Sequence, residues 1–78
     1  MAQIDVNNFE ILNKQRNQLH DKVYATYSIF DYLGKHYVQI DTYGRSDRDN
    51  PGKISQSVQF DRESAKIMYE LLKREFNF

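Results

Sequence analysis

Residues 31–60 contain three tyrosines among basic side chains, in two strand-like segments and the loop between them. Alternation along a strand over His36–Tyr43 puts Tyr37 and Tyr43 on the same side of that strand. Further candidates around this pair are Tyr32, Lys35, His36, Arg45, Arg48 and Lys53. Rings that stack on bases, together with cations near the phosphates, are how proteins bind single-stranded nucleic acid. The stretch therefore predicts a nucleic-acid-binding surface for single-stranded DNA or RNA.

Two other interpretations of these residues remain open. The tyrosines could be cross-strand pairs that only stabilise a small sheet, or they could contact a protein partner. The arginines of the loop could pair with its own acids, Asp47 and Asp49, and Asp41 adds a further negative charge nearby. The alternative function is therefore a small protein-interaction module, an inhibitor or accessory subunit that presents the same face to its partner.

Catalytic and metal-binding arrangements find little support. His36 and Asp41 are five positions apart, so they point to opposite faces of a strand, and no HxH or HExxH spacing occurs. Ser55 and Ser57 have no histidine base close in sequence. We predict a protein that is not an enzyme and that uses no metal or other cofactor.

Three segments have the composition of β-strands. The predicted strands are Lys22–Tyr32, His36–Tyr43 and Ile54–Phe60, joined by a tight turn at Leu33–Lys35 and a long loop at Gly44–Lys53. Alternation assigns an aliphatic inner side to the last two strands, with Val38, Ile40, Ile54, Val58 and Phe60. An antiparallel sheet of three or more strands is expected.

The clearest helical pattern closes the chain. Asp61 suits an N-cap, and apolar residues recur at helical spacing over residues 62–76. A second helical pattern covers Asn8 to Leu19, although Phe9–Leu12 could equally open a strand, and residues 1–7 are expected to be loose. The predicted fold is α+β, with a sheet backed by the C-terminal helix and with an N-terminal helix.

Composition sets the scale of the molecule. At 78 residues the chain is expected to be one domain, and eleven Lys plus Arg balance eleven Asp plus Glu. There is no cysteine, so disulfides cannot supplement the small core. We therefore expect a homodimer, with Ile67, Tyr69 and Phe76 of the helix at its interface, although the same apolar residues could instead cover the ends of a compact monomer. No apolar run is long enough to cross a membrane, and a cytoplasmic location is predicted.

The order of these elements, with several short motifs, resembles the single-stranded-DNA-binding domain of the transcriptional coactivator positive cofactor four. The resemblance covers Tyr27 to Leu72. Its motifs are Asp31-Tyr32-x-Gly34-Lys35, Val38-x-Ile40, Pro51-Gly52-Lys53 and Ser57 to Phe60. The resemblance implies a curved antiparallel sheet backed by a helix, chains paired through their helices, and Tyr32, Lys35 and Lys53 near the nucleic acid.

The sequence also departs from that family. Asp41 and Tyr43-Gly44 stand where the family has a basic residue and an indole, and the chain has no tryptophan. Leu33 stands beside Gly34, so the additional lysines of the family's hairpin are missing. These differences affect the residues that would contact the ligand more than those that define the fold.

Overall fold

A computed structural model describes residues 1–44 and 53–78. Its four strands are β1 (Ala2–Gln3), β2 (Ala25–Tyr32), β3 (Lys35–Tyr43) and β4 (Ile54–Phe60), followed by helix α1 (Arg62–Phe76). They form one sheet in the order β1-β4-β3-β2. The three long strands are antiparallel, and β1 runs parallel to β4 along its edge. The predicted α+β fold, with a sheet backed by a C-terminal helix, is confirmed.

The β2–β3 hairpin closes through a two-residue turn. Tyr32 and Lys35 are register partners, and Leu33 and Gly34 between them have φ values of 50° and 78°. Positive φ angles at both central residues are typical of a type I′ turn, whose backbone twist matches the twist of the two flanking strands. Gly34 adopts this conformation without strain, as predicted, whereas Leu33 must adopt it with a branched side chain.

A register shift interrupts the β3–β4 pairing near the start of β4. Thr42 pairs with Gln56, but Tyr43 pairs with Ile54, so the ladder passes over Ser55. The prediction that Ile54 shares a face with Val58 was wrong, because one extra residue in a strand reverses the alternation beyond it. Ile54 lies instead opposite Tyr43.

The N-terminal part of the chain differs most from prediction. The expected helix over Asn8 to Leu19 is absent, and the structure has only a 3-10 helix at Val6–Asn8, capped by Asp5. Residues 9–24 contain no helix or strand, and all residues from 10 to 25 are exposed. Most helices in proteins are stabilised by packing of an apolar face. The side chains of Leu12 and Leu19, which would form that face, are exposed to solvent.

Helix α1 begins and ends with defined caps. The Asp61 carboxylate accepts a hydrogen bond from the Ser64 backbone N–H at 2.9 Å, and the Ser64 hydroxyl accepts one from the Asp61 N–H at 3.0 Å. This reciprocal pair satisfies two backbone donors at the helix start. At the other end Asn77 adopts a left-handed conformation, and its N–H donates to the Lys73 carbonyl. The predicted bounds of 62–76 are confirmed.

The core of the chain is thin. Among the described residues, no hydrophobic side chain is buried, and only Asp41 and Ser64 are. On the helix, Ala65, Met68, Leu71 and Leu72 are half-buried, and Val38, Val58 and Phe60 of the sheet are in the same state. The predicted aliphatic side of the sheet exists, but this chain covers it incompletely.

Candidate nucleic-acid interface

The register of the sheet assembles one face from alternate residues of β2 and β3. We call it the tyrosine face, and its members are Phe30, Tyr32, Lys35, Tyr37, Gln39, Asp41 and Tyr43. Tyr37 and Tyr43 lie on it together because six positions separate them, an even number in a continuous strand. The predicted sharing of one face by these two rings therefore holds.

Aromatic and basic groups meet at the hairpin end of this face. Phe30 pairs with Tyr37, and Tyr32 pairs with Lys35 two positions further along. The rings of Phe30 and Tyr37 are stacked, with centroids 5.3 Å apart and planes 17° apart. Tyr32 is 62% exposed and Lys35 is also exposed. These four residues, Phe30, Tyr32, Lys35 and Tyr37, form what we call the hairpin patch.

Phe30 was not among the predicted site residues. Its position opposite Tyr37 follows from the hairpin register, which the Leu33-Gly34 turn defines. The sequence predicts this turn, and counting outward from it along both strands gives Phe30 opposite Tyr37.

The far end of the tyrosine face is held by a second group of contacts. The Tyr43 hydroxyl lies 3.2 Å from the Thr26 hydroxyl, and its ring lies 5.2 Å from that of Tyr24. The Tyr43 N–H also donates to the Tyr24 carbonyl at 3.0 Å. Tyr43 is half-buried, so part of its ring surface serves the sheet. It is less available to a ligand than Tyr32.

A polar network occupies the middle of the face. The Asp41 carboxylate, 7% exposed, accepts hydrogen bonds from the Gln39 amide at 2.9 Å and from the Ser57 hydroxyl. The Gln59 amide donates to the Gln39 carbonyl oxygen at 2.8 Å. The network joins β3 to β4 through one oxygen of the Asp41 carboxylate.

The remaining predicted ligand contacts lie in or beside the loop. Lys53 is exposed immediately before β4. Arg45 and Arg48, with Asp47 and Asp49, lie outside the described residues. Their predicted roles are therefore untested.

The histidines and acids do not assemble into a metal site within the described ranges. His36 and Asp31 are cross-strand partners, with Nδ1 and Oδ1 2.6 Å apart and both side chains largely exposed. No group of three or more potential ligands occurs in residues 1–44 and 53–78. The His36–Asp31 pair is a surface contact at the hairpin end.

The helix residues predicted to form a dimer interface have different surroundings. Ile67 lines a surface groove together with Phe9 and Leu71. Tyr69 has two lysine ammonium groups over its ring, those of Lys66 and Lys73, at 5.7 and 5.9 Å from the ring centroid. Phe76 stacks on Phe78 near the C-terminus. Because Ile67 and Tyr69 are two residues apart on the helix, their side chains project from it in directions that differ by about 200°.

No helix in the described parts of the chain is both long and apolar enough to cross a membrane. Comparison with known proteins gives no match to a protein-family profile, a curated protein or a solved structure. What the protein binds must therefore be inferred from the geometry of its two sheet faces.

Proposed function

We propose that the protein is a non-enzymatic single-stranded nucleic-acid-binding protein of the cytoplasm that acts as a homodimer. The observation that carries this proposal is the hairpin patch, where an exposed Tyr32 and Lys35 adjoin the stacked Phe30 and Tyr37. Bases of a single strand would stack on the rings, and Lys35 would pair with a phosphate. Tyr43 and Lys53, with Arg45 and Arg48, would extend the path along the sheet.

Charge limits how the protein would bind. The chain has a formal net charge of zero, so no long-range field attracts a polyanion. Affinity would come from stacking, at ~1–3 kcal/mol per base, with a small number of phosphate contacts. We therefore expect modest affinity and little sequence preference, because every base has a face on which a ring can stack.

The direct test uses two double variants of the tyrosine face. Tyr37→Ala with Tyr43→Ala removes both rings, and Tyr37→Phe with Tyr43→Phe keeps the rings and removes only the hydroxyls. We expect the alanine pair to weaken binding of a fluorescent oligothymidylate by roughly 5- to 150-fold per ring that stacks on a base. The phenylalanine pair should bind within a few-fold of the wild type.

Circular dichroism must show that both variants retain the sheet, because Tyr43 also contacts Thr26 and Tyr24. Tyr32→Ala provides a further variant, since Tyr32 is 62% exposed and its loss should disturb the fold least. Equal affinity of the wild type, Tyr32→Ala and the alanine pair would refute the proposal.

The second candidate function is a protein-interaction module that uses the same face. It is favoured by the contacts that the rings already make within the chain. Phe30 pairs with Tyr37, and Tyr24 pairs with Tyr43. Titration with random single-stranded and duplex oligonucleotides at low and high salt separates the two functions. Binding of neither oligonucleotide at low salt would favour the protein partner.

A further inference from the structure

The aliphatic face of the sheet, opposite the tyrosine face, is unexpectedly open. It consists of Tyr27, Ile29, Val38, Ile40, Val58 and Phe60. Val58 and Phe60 on β4, the strand in contact with α1, are half-buried. Exposure then rises across the sheet, from 36% for Ile40 on β3 to 60% for Ile29 and 78% for Tyr27 on β2. The side of this face far from α1 meets solvent.

The solvent-accessible surface area of the whole chain also indicates that part of its apolar surface is uncovered. Its accessible surface is 7555 Å², whereas a compact monomer of its mass would have about 5,000 Å². The radius of gyration is 14.6 Å, against roughly 11.5 Å for a compact domain of this length. Part of the excess belongs to the exposed stretch 10–25. A stable interface needs only about 800 Å² from each partner, a third of the excess.

We infer that a second copy of this chain covers the aliphatic face, and that the chain acquires its core only on dimerisation. This inference specifies the dimer proposed above and does not depend on nucleic-acid binding. A copy of the same chain is the partner that fits, because an uncharged apolar patch matches itself across a two-fold axis. At the edge of the patch, Thr42 and the His36–Asp31 pair supply the polar rim that such interfaces have.

This arrangement differs from an interface made by the helices alone. Ile29 and Tyr27 would be central to the contact, and Tyr69 would lie away from it. The two tyrosine faces of the dimer would point in opposite directions, because each lies on the reverse of a buried face. Both would remain open to ligand.

The first experiment uses the unmodified protein. Sedimentation equilibrium should give twice the chain mass at micromolar concentration. The melting temperature should rise by roughly 5–10 °C between 1 and 100 µM chain, because dilution favours the unfolded chains when folding and association are one step. A monomer mass with a concentration-independent melting temperature would overturn the inference.

The second experiment locates the interface with variants. Ile29→Lys is the test, Ser28→Lys is its matched control on the next residue and the opposite face, and Tyr69→Glu tests the helix. In a monomer all three positions are solvent-exposed and should tolerate charge. We expect Ile29→Lys alone to abolish the dimer, with at least a 100-fold weaker association or loss of the folded sheet.

Each result has a defined meaning. A dimeric Ile29→Lys protein with wild-type circular dichroism would overturn the assignment of the interface. Dissociation of the dimer by Tyr69→Glu and not by Ile29→Lys would place the interface on the helix. That result would also overturn the assignment of the interface to the aliphatic face. Oligonucleotide titration of the wild type tests the binding function separately. A dimer that does not bind nucleic acid would refute the proposed function and leave the interface intact.

Discussion

Ser57 on β4 donates a hydrogen bond from its hydroxyl to the carboxylate of Asp41, its register partner on β3. The same carboxylate oxygen accepts from the Gln39 amide. Asp41 is therefore the common acceptor of a network that ties the two central strands together. It is also one of only two buried side chains in the described residues.

Asp41→Ala should lower the free energy of unfolding by about 2 kcal/mol. The substitution leaves the Gln39 amide and the Ser57 hydroxyl without their acceptor in a partly buried place, which costs more than the loss of an average hydrogen bond. Urea denaturation at one fixed protein concentration measures the change. Asp31→Ala is the matched control, because its exposed contact with His36 should contribute less than about 0.5 kcal/mol. Equal losses in the two variants would contradict a special role for Asp41.

Asp61 should make the stability of the protein pH-dependent in acid. Hydrogen bonds from the backbone and then the hydroxyl of Ser64 lower the pKa of this carboxyl from its ordinary 3.8. The folded state thus favours the charged form, so the contribution is complete above about pH 4 and disappears as pH falls through the lowered pKa.

The measurement compares wild type with Asp61→Asn, which can still cap the helix but cannot titrate. We expect the wild type to be more stable at pH 6 by up to about 1 kcal/mol. This difference in stability should vanish toward pH 2. The contributions of the other carboxyl groups cancel in the comparison, because both proteins contain them. A difference that is constant from pH 6 to pH 2 would refute the assignment.

Lys35 should contribute one phosphate contact to nucleic-acid binding. Lys35→Ala is then expected to reduce the slope of log Kd against log salt concentration by about 0.7, the value for one phosphate of a single strand. Fluorescence anisotropy at four salt concentrations gives the slope. Lys14→Ala is the control, since Lys14 is an exposed lysine that does not belong to the hairpin patch. Parallel lines for Lys35→Ala and the wild type would exclude the contact.

Local interactions explain the parts of the fold that the sequence predicted correctly. Helix α1 begins after Asp61 and β4 ends at Phe60 as expected, because the signals for both boundaries lie within a few residues of them. The turn at Gly34 and the sharing of a face by Tyr37 and Tyr43 depend likewise on short-range geometry. These features can be predicted from the sequence alone, because none of them depends on what packs against the segment.

The tertiary structure decided the features that depend on distant partners. The helical pattern over Asn8 to Leu19 remains irregular because its Leu12 and Leu19 side chains stay exposed to solvent. The register shift at Thr42 and Tyr43 moved Ile54 to the other face. The stacking of Phe30 on Tyr37 and the burial of Asp41 arise from pairing across strands. Alternation by itself separated an aliphatic face from a tyrosine face. Only the folded chain showed that the aliphatic face is partly uncovered, because burial depends on what the rest of the chain can reach.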